Sequence, residues 1–207
     1  TAPSVKQPTS RATTSSTLGH QEQRYADSLM AGLVLLSSLL ALVVGSIYGS
    51  VGTTWVPAVL LIGCAVLLYL VGNGHAICRF GLPLLLSASI ALHIQASLGT
   101  TEFHFGVFVT LALVMVYRDW RVVVACAAFF AVHHVLFDRL QALGYNIYCT
   151  SEADFARIVL HATYVILQTS VEVFILYRLN QAFRQGLELK EVVEAVQRDE
   201  HFHLDVS

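Results

Sequence analysis

Five of the nine histidines in this chain fall inside or at the edge of long apolar runs: His93, His104, His133, His134 and His161. Ionisable side chains in such runs are costly in a bilayer and are candidates for function by default. Neutral imidazole is the commonest protein ligand for zinc, copper and iron, and a usual axial ligand of haem iron. The stretch "VVVACAAFFAVHHVLFDRL", Val122 to Leu140, carries two of them side by side. Neighbours on a helix point about 100° apart, so His133 and His134 cannot both face one ion. One is expected to ligate and the other to support it or serve a second site. His134 and Asp138 are four apart and share a helix face, a spacing at which a carboxylate can orient an imidazole. A purely structural His–Asp hydrogen bond has the same spacing.

The elements that must position these residues follow from composition. The chain of 207 residues is 56% hydrophobic and 13% charged, with mean hydropathy +0.65. Soluble domains carry about 25% charged residues. The net charge of -2 says nothing about a nucleic-acid partner; no basic stripe appears, and that class is set aside. Six apolar segments, 28–48, 55–72, 80–98, 103–117, 120–139 and 155–181, are read as membrane-crossing helices, since a bilayer needs about 20 apolar residues. The fourth is short. Continuous rather than alternating apolarity argues against strands, and an open sheet cannot satisfy its backbone in lipid. The expected fold is therefore all-α: an integral membrane bundle of six transmembrane helices, the last continuing into a cytoplasmic signalling helix. Residues 1–24 are read as a disordered cytoplasmic tail without the apolar core of a signal peptide, 25–182 as the bundle, and 183–207 as an amphipathic linker helix leading to an output domain. Lys6, Arg11, Arg24, Arg79, Arg118, Arg121, Arg178 and Arg184 all fall on one side of six crossings. The opposite loops "GSVGTT" and "SLGTTE" carry no Lys or Arg, and the third has only Arg139 at its edge. The excess of cationic residues predicts that both termini are cytoplasmic.

On this topology the five imidazoles come from four helices to one level in the outer half of the bilayer. Glu102 lies just outside His104 and, with Asp138, is a supporting group or further ligand. His75 falls on the cytoplasmic side. A single histidine at a helix end is accounted for by a hydrogen bond to a neighbouring carbonyl; five at one depth are better accounted for by a shared site. On the sixth helix His161, Gln168 and Glu172 are spaced by seven and four, with Tyr164 and Thr169 flanking them. Such a stripe should face the bundle interior, either to transmit a signal from the histidine level towards Arg178 or simply to fix packing. The turn "VYRDWRVV" has the aromatic and charged residues of an interfacial anchor. Cys64, Cys78 and Cys126 are read as small core residues, and Cys149 as a loop thiol without an obvious partner.

The stretch from Glu102 to Gln141, "EFHFGVFVTLALVMVYRDWRVVVACAAFFAVHHVLFDRLQ", has an E-x-H-F start, a Y-R-D-W turn and an A-x-H-H run. It resembles the multi-helix membrane sensor region at the N-terminus of some bacterial methyl-accepting chemotaxis proteins and related signalling proteins. After the last crossing, Leu189, Val192, Val193 and Val196 recur at helical spacing between charges, as in a helix that pairs with a second copy. The resemblance implies a chemotaxis-type receptor in a bacterial inner membrane, a homodimer with its output domain in the same chain, and no catalysis.

The leading expectation is a sensor binding a transition metal through the histidines, copper first, zinc or iron also fitting. The alternatives are a haem b redox or gas sensor held by two histidines, and a small membrane cytochrome passing electrons to quinone. A transporter would want broken helices with central Gly or Pro; Pro57 and Pro83 lie near helix starts.

Overall fold

A computed structural model describes residues 10–152 and 154–204. All regular elements among them are helical: α1 (Ser10–Ile47), α2 (Val51–Gly72), α3 (Ala76–Ala96), α4 (Phe105–Val114), α5 (Trp120–Ala142) and α6 (Phe155–Leu204). Short 3₁₀ turns, Thr101–His104 and Met115–Tyr117, flank α4. Among the described residues five helices are long and apolar enough to cross a membrane, and the stretch Thr101–Tyr117 is a shorter apolar helix.

The chain runs up and down. At one end the α1–α2 and α3–α4 turns meet, where the Ser50 hydroxyl donates to the Ala96 carbonyl at 2.6 Å. The α5–α6 loop joins them there, since the Gln95 carboxamide accepts from the Tyr148 amide at 2.8 Å. This is the histidine end. At the other end Gln23 donates to the His75 carbonyl at 2.8 Å, and Asn180 donates to the Arg118 carbonyl at 3.1 Å. Arg79, Arg118, Arg121 and Arg184 gather there, which makes it the arginine end.

The main apolar core joins Met30 and Val34 of α1, Leu82 and Leu86 of α3, Val107, Leu111 and Val114 of α4, Val122 and Phe130 of α5, and Leu176 of α6, and a second, smaller cluster joins Ala41 of α1, Ala58 of α2 and Leu92 of α3. The outward faces are equally apolar. Leu36, Leu60, Leu67, Leu70, Leu160 and Leu167 are all exposed. A water-soluble protein rarely shows so continuous an apolar surface; here it is the surface offered to lipid. The molecule is a membrane helical bundle.

Two features differ from expectation. Helix α1 begins at Ser10, so residues 10–24 of the expected disordered tail are helical, while residues 1–9 lie outside the described residues. The side chain of Gln23 bridges the His75 carbonyl and the Arg79 guanidinium, which fastens this extension to the α2–α3 turn. At the other terminus no break separates bundle from linker. Helix α6 is one element of 50 residues, about 75 Å long against a hydrocarbon core of about 30 Å. Its apolar side chains Leu187, Leu189, Val192, Val193 and Val196 are exposed.

One carboxylate ties the arginine end together. Asp27 is fully buried; it accepts from the Gly74 amide and from the Tyr117 hydroxyl, each at 2.8 Å. It thus joins α1 to the α2–α3 turn and to the end of the α4 stretch. Hydrogen bonds to a charged group contribute roughly 1.5–3 kcal/mol each, and their loss orphans buried donors. Asp27→Ala is expected to lower stability by about 3 kcal/mol or more, and Asp27→Asn by less, in thermal unfolding followed by circular dichroism in detergent.

Candidate metal centre

Three helices deliver imidazoles to one point at the histidine end. His104 ends the 3₁₀ turn before α4, His134 lies on α5 and His161 on α6. Their ring centroids form a triangle with sides of 5.5 Å (His104–His134), 5.3 Å (His104–His161) and 5.7 Å (His134–His161). His133 adjoins the group, 5.2 Å from His134 with the rings perpendicular, and leans on the Phe137 ring at 4.1 Å. The 100° offset between neighbours therefore separates the pair as the sequence requires: His134 faces the triangle and His133 stands beside it.

The hydrogen bonds fix the tautomers of two rings. His134 Nδ1 lies 2.8 Å from the Phe130 carbonyl, and His104 Nδ1 3.3 Å from the Thr100 carbonyl. A carbonyl only accepts, so each Nδ1 carries the proton and each Nε2 presents a lone pair. The Nε2 atoms of His104, His133, His134 and His161 are all buried, with no hydrogen-bond partner among the described residues. Orphaned polar atoms of this kind are rare in native interiors. An imidazole held at Nδ1 by a carbonyl and open at Nε2 is the usual arrangement of a metal-ligating histidine.

A thiol completes the group. Cys149 is fully buried in the α5–α6 loop, and its Sγ lies with ligand nitrogens of His104 and His134 in a set whose members are all within 4.8 Å of one another. A closed tetrahedral site with bonds of 2.0–2.3 Å has edges of about 3.4 Å. The three donors are thus close enough to share an ion after drawing in by about 1 Å. Burial pushes the Cys149 thiol up to about 12, and the nearby Asp138 carboxylate adds to the push. Binding a cation as thiolate releases that proton.

The loop that carries Cys149 is clamped from three sides. The Gln141 carboxamide accepts from the Cys149 amide at 3.0 Å and donates to the Thr150 carbonyl at 2.7 Å. Gln95 holds Tyr148 from α3. Asp138 accepts from the Asp154 amide at 3.0 Å and pairs with Arg139. Gly99, at φ +80°, packs so closely that an added Cβ would lie 2.3 Å from the Thr150 carbonyl carbon. Only glycine fits both the left-handed backbone and the contact.

The other expected residues take different places. His93 stands apart from the triangle: its Nε2–H donates to the Ser37 carbonyl at 2.8 Å, which ties α3 to α1. Asp138 is buried but is bonded to the loop and to Arg139, so it positions Cys149's loop instead of orienting His134. Glu102 is exposed in the turn before His104. Gln168 and Glu172 do share the inner face of α6. Gln168 donates to Glu172 at 2.6 Å and reaches the Phe108 carbonyl of α4 at 3.5 Å, while the Phe108 ring lies 5.7 Å from His161. Tyr164 is largely exposed, off that stripe. An apolar cavity of about 340 Å³ opens between α5 and α6 beside His134 and His161.

No protein-family model, curated protein or solved structure matches this chain. The resemblance to chemotaxis-type sensors therefore rests on the sequence stretches alone, and the site speaks for itself. It is a buried His/His/Cys cluster able to coordinate a metal ion, with two more imidazoles beside it.

Sequence reasoning missed Cys149 as a donor. No spacing rule links it to His104 or His134. The usable signal was topological: the loop 143–154 leaves the bundle at the same end as every histidine of the triangle. The clamp makes a testable statement about that thiol. In a Cys64→Ser background, which removes the exposed cysteine, Cys149 is expected to resist a membrane-impermeant maleimide. Gln141→Ala or Gly99→Ala should free the loop and make Cys149 label, as read by mass spectrometry of the modified peptide.

Proposed function

We propose that this chain is the membrane-embedded sensory input domain of a bacterial chemotaxis-type receptor, and that it responds to a transition metal ion without catalysing a reaction. The observation that carries the proposal is the set of buried, unpartnered imidazole Nε2 atoms beside a buried thiol. His104, His134 and Cys149 are the ligands, with His161 the fourth donor and His133 a neighbouring base. Two imidazoles and a thiolate suit copper first and zinc nearly as well; iron fits less readily. Haem b is the second reading; it needs only two imidazoles and would leave the Cys149 thiol and two of the four open Nε2 atoms without a partner.

The sixth crossing belongs to this reading. The stretch Thr101–Tyr117 has seven residues in 3₁₀ turns and ten in α-helix. With rises of 2.0 and 1.5 Å it spans about 29 Å, enough for a hydrocarbon core of about 30 Å. Six crossings put both termini at the arginine end, the cytoplasmic side by its charge. Signalling then runs through α6. Contraction of the donor set onto an ion pulls His161, the one imidazole of the triangle on α6, towards α4 and α5. The Gln168–Glu172 stripe against α4 converts that pull into a shift of the helix, and the exposed apolar face beyond residue 184 passes it to a second copy and an output domain.

The test is metal analysis and an absorption spectrum of protein purified in mild detergent without chelator. One equivalent of copper or zinc is expected, without a Soret band. His104→Ala, His134→Ala and Cys149→Ser should each lower affinity by about 100-fold or more, beyond the 10–100-fold typical of losing an outer-shell partner. His93→Ala should retain the metal. A Soret band would replace the direct metal site with haem, and no metal after reconstitution would sink the proposal.

A further inference from the structure

The arginine end holds a cleft of about 500 Å³ where α1, α3, the α4–α5 turn and α6 meet. Four arginines line it, Arg79, Arg118, Arg121 and Arg184, against two acids, Glu22 and Asp119. Arg79 is engaged, with Asp119 at 3.5 Å and Gln23 at 2.6 Å. Arg118, Arg121 and Arg184 pair with no carboxylate among the described residues. The Arg118 guanidinium lies 4.2 Å over the Phe183 ring, and its Nε is buried without a partner. Arg118 also adopts φ +54°, a left-handed conformation uncommon outside glycine and asparagine. A surplus of positive charge, a buried unmet donor and a strained backbone thus coincide at one point.

The cleft adjoins a second cavity, and Trp120, Asn180 and Arg184 line both. This second cavity, about 760 Å³, runs along α6 past Val173, Phe174 and Tyr177. Its rim is turned outward: Trp120, Phe174 and Tyr177 are each half exposed or more. One cavity therefore suits an anion and the adjoining one an apolar chain, and both lie at the level of the interfacial aromatics Tyr117 and Trp120. A soluble anion would use only the first, and an uncharged apolar molecule only the second.

We infer that this pair of cavities is a binding site for an anionic phospholipid, its phosphate among Arg118, Arg121 and Arg184 and one acyl chain along α6. Basic pockets between transmembrane helices are known to take anionic headgroups, each arginine near the surface contributing about 1 kcal/mol, or about fivefold in affinity. The lipid bridges the α4–α5 turn to α6 where that helix leaves the bundle, next to the Asn180–Arg118 hydrogen bond. The inference is independent of the metal centre, which lies at the opposite end.

The chain has two tryptophans, Trp55 and Trp120. Trp55→Phe leaves Trp120, which lines both cavities, as the sole emitter. The full chain with this change is placed in phosphatidylcholine nanodiscs holding a minor fraction of phosphatidylglycerol. Brominated chains are carried by one lipid or the other at equal mole fraction. Brominated phosphatidylglycerol is expected to quench Trp120 more strongly than brominated phosphatidylcholine. Arg121→Gln and Arg184→Gln, at exposed positions, should each reduce the preference about fivefold, with helical content checked by circular dichroism. Equal quenching by the two lipids overturns the site, and so does a preference that survives both substitutions. A saturable change of Trp120 emission on adding inorganic phosphate to pure phosphatidylcholine nanodiscs, together with equal quenching, would reassign the cleft to a soluble phosphate.

Discussion

Inside a bilayer no water is at hand to take a hydrogen bond, so every polar atom must find a partner in the protein or in something the protein binds. This constraint organises the whole bundle. Asp27 is answered by Gly74 and Tyr117, His93 by Ser37, Ser89 by Ser37, and Gln168 by Glu172. Each of these pairs joins two helices, or two turns of one, although the second carboxylate oxygen of Glu172 is left without a partner among the described residues. Four imidazole nitrogens at one end and the Arg118 Nε at the other are buried without a partner among the described residues, as are side-chain oxygens of Ser38, Asn73, Thr169 and Glu172; the imidazoles gather with a thiol and Arg118 with three other arginines.

The division of labour between the ends follows from the same rule. At the histidine end the donors are neutral or can be made so, and they sit behind a loop clamped by Gln95, Gln141 and Asp138. A small cation that carries its own charge is the partner such donors call for. At the arginine end the donors are permanently charged and reach the headgroup level, where an anion on a lipid is always near. Helix α6 is common to both.

Much of this was legible in the sequence. The apolar runs gave the helices, and the absence of cationic residues from alternate loops gave the up-and-down order that brings His104, His134 and His161 together. What the sequence hid were choices between equivalent hydrogen bonds. His93 has the same type and depth as His104, but Ser37 on the facing helix takes its Nε2. Asp138 has the right spacing for His134, yet an amide sixteen residues on, that of Asp154, competes for it and wins. Cys149 sits in a loop of no regular period, and only the fold shows that Gln141 turns its thiol inward. The helical stretch before residue 24 was hidden for a related reason: its docking depends on Gln23 meeting a distant turn, which no local propensity records.

The unbroken length of α6 has a mechanical consequence. From His161 to Leu204 it covers 43 residues of rise, about 65 Å of stiff rod. At the arginine end the helix is held by Asn180 on the Arg118 carbonyl and by Phe183 under the Arg118 guanidinium, and 21 residues run on from Phe183 to Leu204. A tilt of about 2° around the contact between Phe183 and Arg118 displaces Leu204, about 32 Å further on, by about 1 Å. A rod of this kind carries a small rotation at the bundle over a distance, with no change of fold in between.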